Sequence, residues 1–152
     1  MKNLASVAAA VLVAFAAGFG SAHLTAPAAA AAAPMTPQVV DVGAITYDTL
    51  PAQAPGAVLH TKNFVSLDGA TVDVQIGTVI KHLHADADEI QYVVDGTGTE
   101  WLGDKQVALK PGLMLLIPHG TPHGGSTETS GHLKLIAIHT PPLQPGETKP
   151  VP

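Results

Sequence analysis

Between Val39 and His139, short runs rich in Val, Ile and Thr recur at intervals of about eight to twelve residues, punctuated by Gly, Pro and Asp. That rhythm belongs to an all-β sandwich or barrel, and no convincing amphipathic helical pattern interrupts it. The fold class read from the sequence is therefore all-β. Strands are expected at Val39 to Tyr47, Val58 to Leu67, Thr71 to Gly77, Val79 to His84, Glu89 to Val94, Thr99 to Leu102, Gln106 to Leu109, Met114 to Ile117 and His132 to His139. Thr71 to Ile76 alternates strictly, which places Val72, Val74 and Ile76 on a core face and their polar neighbours on the other. Leu67-Asp68-Gly69-Ala70 and Leu102-Gly103-Asp104-Lys105 carry the chemistry of tight hairpin turns, so the strands beside them should pair antiparallel.

The two ends differ from this centre. Met1 to Ala22 reads as a signal peptide, with Lys2 as the positive start, Leu4 to Phe19 as the apolar stretch and Gly20-Ser21-Ala22 as a small-residue cleavage site. An uncleaved N-terminal anchor is the competing reading, although the run is short for a bilayer span. No twin-arginine pair is present, so export by the general secretory route to the periplasm or the exterior is expected. His23 to Gln38 is an Ala/Pro-rich linker and Leu143 to Pro152 a Pro-rich tail, expected to be extended and solvated. One domain, Val39 to Pro142, remains.

Composition narrows the chemistry. The net charge is −5 and no run of like charges exceeds two residues, so nothing suggests nucleic-acid binding. All seven basic residues are lysines; without arginine there is no planar fork for gripping carboxylates or phosphates. A small neutral or weakly polar partner fits better. Cysteine is absent, so any metal must be held by imidazoles and carboxylates.

His82 and His84 stand two residues apart, which in a strand turns both imidazoles to one face. Glu89 follows a short acidic connection and can add an oxygen ligand from the next strand. His123 is far along the chain, and only barrel closure brings it near. In these segments the chain resembles the cupin family: Gly77, His82-x-His84, Glu89 and Gly96 match its first motif, and Gly112, Pro118-x-Gly120 and His123 its second. Two departures are one residue fewer than usual between Gly77 and His82, and Thr127 where the family often has Asn. The resemblance implies a double-stranded β-helix, a jelly-roll barrel, holding one divalent metal through His82, His84, Glu89 and His123. A lone histidine would be read as an ordinary core or surface residue, but four correctly spaced ligands, three histidines and a glutamate, are read as a site. Gly96 and Gly112 are expected at hairpin turns, with Pro118-x-Gly120 breaking the strand before His123.

The remaining candidates carry less. His119 is expected on an exposed turn, His60, His132 and His139 are strand residues of undetermined facing, and His23 would become the new N-terminus. Tyr92 is expected opposite Glu89 as a barrel residue, Trp101 and Phe64 in packing or in lining a pocket, and Lys81 and Lys105 in solvent. Three imidazoles and a carboxylate suit Fe, Mn, Ni, Cu or Zn and leave coordination positions free for a substrate. The leading functional expectation is an oxygenase-type enzyme acting on a small oxygen-bearing molecule, with Glu89 as ligand or detached base. The alternatives are a non-redox isomerase, lyase or decarboxylase, which would need a separate acid or base, and a non-catalytic metal or small-ligand binder. A homodimer is expected, with Val39 to Tyr47 as an exchangeable edge.

Overall fold

A computed structural model of the chain describes residues 35–152; the expected leader and the Ala/Pro stretch as far as Pro34 lie outside the described residues. Eight strands form one connected antiparallel sheet that curls into a half-barrel: β1 (His60–Ser66), β2 (Thr71–Ile76), β3 (His82–His84), β4 (Asp88–Leu102), β5 (Lys105–Leu109), β6 (Met114–Ile117), β7 (His123–Thr140) and β8 (Thr148–Pro150). Among the described residues the one other regular element is a 3-10 turn, Tyr47–Thr49. Both expected hairpins are present: Leu67 N donates to Ala70 O at 2.9 Å, and Leu102 pairs with Lys105 across Gly103-Asp104.

Directly opposed residues share a face of a sheet, so the register sorts the interior from the exterior. Gln75 lies opposite Leu135, Glu89 opposite His139 and Gln91 opposite Ala137, while Glu89 and Gln91 also face Ile117 and Leu115. These residues line the inside of the barrel. Further along the same strands the inner face becomes apolar, with Val93, Leu109, Leu115, Ile117, Leu133 and Leu135 buried together. The alternation of β2 is as expected, but its apolar face points outward. Val74 and Ile76 pack with Leu50 beneath Val42, Ile45, Tyr47 and Phe64, leaving Gln75 for the interior.

Four of the expected strands change. Val39 to Tyr47 is not a strand, because short side chains there bond locally and compete with a ladder: Ala44 N donates to Asp41 Oδ1 at 3.2 Å and Thr46 N to Thr49 Oγ1 at 2.9 Å. Exchange of that segment as a dimer edge loses its basis. Glu89 to Val94 and Thr99 to Leu102 are one strand, β4, and β7 begins at His123 rather than His132. Gly96 is therefore not a hairpin turn. It sits inside β4 with φ 80°, where the β4–β7 register shifts repeatedly and the two strands press together: a Cβ on Gly96 would run into the His132 carbonyl, and one on Gly98 into that of Thr127. Glycine permits the bulges that bend a long ladder into a barrel.

The tail also finds a place. Thr148–Pro150 is exposed, yet it is a strand paired with β3. The buried Glu147 before it accepts from Asp86 N at 3.1 Å and Gln144 N at 2.8 Å.

Gly96→Ala should lower stability by about 2–4 kcal/mol, combining left-handed strain with a backbone clash. Gly103→Ala has similar strain but open space around its Cβ and should cost only about 1 kcal/mol. Thermal denaturation of the two variants would compare them.

Candidate metal centre

His82, His84, Glu89 and His123 come together, each offering one atom within 4.8 Å of all the others. The sequence dictates the assembly locally at β3, where alternation puts both histidines inside. It does so non-locally at β7, where His123 is the cross-strand partner of His82. The four side chains are only 7, 4, 3 and 1 % exposed respectively.

Outer contacts fix the rings. His82 Nδ1 lies 2.8 Å from Ile80 O, and His123 Nδ1 2.9 Å from Thr121 O. A carbonyl only accepts, so each Nδ1 carries the proton and each Nε2 keeps its lone pair, as ligation requires. His84 Nδ1 meets Thr148 Oγ1 at 3.1 Å, a contact supplied by the tail strand. His123 Nε2 and His84 Nε2 approach Glu89 Oε2 to 2.8 and 3.3 Å, but none of the three atoms has a partner in hydrogen-bonding alignment. Buried, converging and unsatisfied polar atoms are costly, and one divalent cation would satisfy them together. The donor set fits such a metal.

Burial dominates the His82 pKa and pushes it down to about 4, so the ring is neutral and available to a metal. Burial pushes the Glu89 carboxyl up, but the contacts from His123 and His84, with His139 nearby, hold it well below the usual carboxylate range. Burial likewise opposes charge on His123, yet the Glu89 carboxylate raises its pKa above the ordinary value. A metal and a proton would therefore compete for His123 Nε2. Glu100 is fully buried, both its oxygens lack partners, and burial pushes it up to about 7 against the opposing effect of His123.

His139, whose facing the sequence left open, is inside and 3 % exposed. Its Nε2 is 3.6 Å from Glu89 Oε1 and its Nδ1 3.6 Å from Asp73 Oδ2, while Gln91 Nε2 donates to Glu89 Oε1 at 3.0 Å. His139, Gln75, Gln91 and Thr148 share with His82, His84 and Glu89 the wall of a cavity of about 170 Å³, to which no lysine contributes. Parity with Leu133, Leu135 and Ala137 was the sequence signal for His139; Thr148 gave none. The other candidates lie elsewhere. His119 is exposed and bonds Asp88 at 2.8 Å, and His60 and His132 both stack on Tyr47. Tyr92 is on the outer face, Phe64 covers β2, Lys81 lies over the Trp101 ring, and Lys105 is exposed. Thr127 bonds Thr99 through their hydroxyls at 2.8 Å.

A family model for the cupin domain matches residues 70–139, and this match together with the fold supports a cupin superfamily protein. No curated protein matches its sequence. Similar solved structures include KdgF from Halomonas sp., 23 % identical over 61 % of this chain and 86 % of that one, with a TM-score of 0.55. A protein from Planctomyces limnophilus is 22 % identical over 75 % and 96 % of the two chains, with a TM-score of 0.55. The Streptomyces nucleoside dehydratase Pac13 is 15 % identical over 62 % and 78 %, with a TM-score of 0.51. At these identities the likeness is one of fold.

Thr148→Val removes the partner of His84 Nδ1 from an exposed strand, and should weaken metal binding about 10- to 100-fold without unfolding the barrel; competition with a chelator would measure it. The pH dependence of metal-free stability follows from two groups. The lowered His82 pKa gives stability that is present above its ordinary 6.5 and lost as pH falls towards about 4. The raised Glu100 pKa gives stability that is complete below its ordinary 4.5 and lost as pH rises through about 7. Glu100→Gln should therefore stabilise the protein at pH 8 by up to about 3 kcal/mol and change little at pH 5, as read by chemical denaturation at the two pH values.

Proposed function

We propose that this chain is an exported, metal-dependent cupin enzyme acting on a small oxygen-bearing molecule, with His82, His84, Glu89 and His123 as the ligands of one divalent transition metal. The observation that carries the reading is the buried, convergent donor set, with unsatisfied atoms on His84, Glu89 and His123, of which His82, His84 and Glu89 line a cavity of about 170 Å³. When bound, the ion would supply Lewis acidity and, if redox-active, electrons for dioxygen chemistry. The chain's own residues do the remaining work. The Ile80 and Thr121 carbonyls and the Thr148 hydroxyl orient the imidazoles, and Gln91 holds one Glu89 oxygen. Export rests on the leader read in Met1 to Ala22, and a homodimer finds support in the exposed outer neighbours Tyr92, Met114 and Leu116.

The oxygenase-type reaction is the first reading, resting on the donor set, with Glu89 remaining a ligand or releasing to take a proton. The non-redox isomerase, lyase or decarboxylase reading gains one specific observation. His139, flanked by Asp73, is an acid–base group beside the cavity and separate from the four ligands.

Metal analysis of protein from its native exported fraction should find about one ion per chain, and His82→Ala should lose it while keeping the fold by circular dichroism. An unchanged stoichiometry in that variant would refute the site. Turnover of small diketone, phenolic and organosulfur compounds is then compared under air and argon. Oxygen uptake in step with product supports the oxygenase reading; turnover that survives argon and is lost in His139→Gln supports the other.

A further inference from the structure

The metal cavity continues beyond its polar wall. Gln53, Leu59, Val79 and Ile80 line both the cavity and an open groove of about 640 Å³, which Ala57 and Val58 extend. The two compartments differ in chemistry. The inner one presents imidazoles, the Gln75 and Gln91 amides and the Thr148 hydroxyl, with the Glu89 carboxylate and no lysine. The outer one is mainly aliphatic, and Val58 and Ile80 stand 60 and 66 % exposed, a pair of large apolar side chains left in water at the mouth of a polar site.

The groove is built rather than incidental. On one side Gln53 N donates to Leu59 O at 2.9 Å and Ala57 N to Ala54 O at 2.9 Å, closing the loop that carries Val58. On the other, Val79 N donates to Ser126 Oγ at 3.0 Å and Ser126 N to Val79 O at 3.1 Å. Its walls are thus tied by hydrogen bonds on both sides, and a preformed apolar groove binds without a large ordering cost.

We propose that this groove is the outer half of a two-part substrate site, and that the substrate is a two-ended molecule with an uncharged tail. A compact oxygen-bearing head enters the metal cavity, and an apolar tail lies along Val79, Ile80 and Val58. This rests on the metal-site reading above. The amide and hydroxyl groups of the cavity wall suit a head that carries hydroxyl or carbonyl oxygens to the ion, and no lysine is there to grip a phosphate. A charge at the far end would be set against aliphatic side chains and lose solvation.

Hydroxamates test this because the head chelates divalent metals through two oxygens while the tail is varied. Full-length protein is loaded with cobalt(II), its content measured, and its visible d–d bands followed during titration with acetohydroxamic acid, hexanohydroxamic acid and adipic monohydroxamic acid. The hexanoyl compound should bind at least about tenfold tighter than the acetyl one through its added methylenes. The adipic compound, of similar length but ending in a carboxylate, should bind no tighter than the acetyl one. Val58→Asp, a change at an exposed side chain that lines only the groove, should weaken hexanohydroxamate about fivefold or more and leave acetohydroxamate unchanged. Equal affinities for the acetyl and hexanoyl compounds, adipic binding as tight as hexanoyl, or an unchanged hexanoyl advantage in Val58→Asp would each overturn the two-part site while the metal reading stands. Failure to take up cobalt at all would instead remove the metal reading, and this proposal with it.

Discussion

One carboxylate, Glu89, lies 2.8 Å from His123, 3.3 Å from His84 and 3.6 Å from His139, and is buried. Burying a charge is costly unless its partners are fixed around it, and much of the barrel fixes these. β4 places Glu89 opposite His139 on one side and Ile117 on the other. The turn containing Pro118-x-Gly120 is tied to both neighbouring strands, since Gly120 N donates to His84 O at 2.7 Å and His119 N to Asp88 Oδ1 at 2.8 Å. Those two bonds set where β7 begins, and so where His123 points.

Legibility followed the range of the interactions. His82 and His84 were readable because a period of two is local, and β6 and the two Asp/Gly hairpins for the same reason. His123 was readable only through the spacing of a family motif, because its meeting with His82 depends on barrel closure. Gly96 misled because glycine marks a turn and a bulge alike; what decides is the His132 carbonyl opposite, which lies far along the sequence. Val39 to Tyr47 has the composition of a strand, but Asp41, Thr46 and Thr49 capture the backbone first.

β2 was read correctly as half-buried, yet which half faced the site depended on what covers the outside. Segment 42–50 does this without being a strand. Val42, Ile45 and Tyr47 pack over Val74 and Ile76, and Lys134 Nζ ties the segment down by donating to Val42 O at 3.3 Å and Gly43 O at 3.1 Å. With the apolar face satisfied there, the polar face of β2 is free to supply Gln75 and Asp73 to the interior. A chemically irregular segment outside the barrel thereby determines the polarity of the cavity inside it.

The tail plays the corresponding part at the other edge. β8 is short, exposed and ends in proline, features of a solvated end, and little in its own sequence would hold it. It is held by Glu147, whose pKa stays low because, although burial opposes its charge, backbone N–H groups of Gln144, Asp86 and Ala87 donate to it. That carboxylate fastens the chain beside β3 and brings Thr148 to His84. Since Thr148 bonds His84, order in the tail and occupancy of the proposed site would be linked, and linkage is reciprocal: whatever loosens residues 144–150 would weaken the hold on an ion, and an ion bound at His84 would steady the tail by the same free energy.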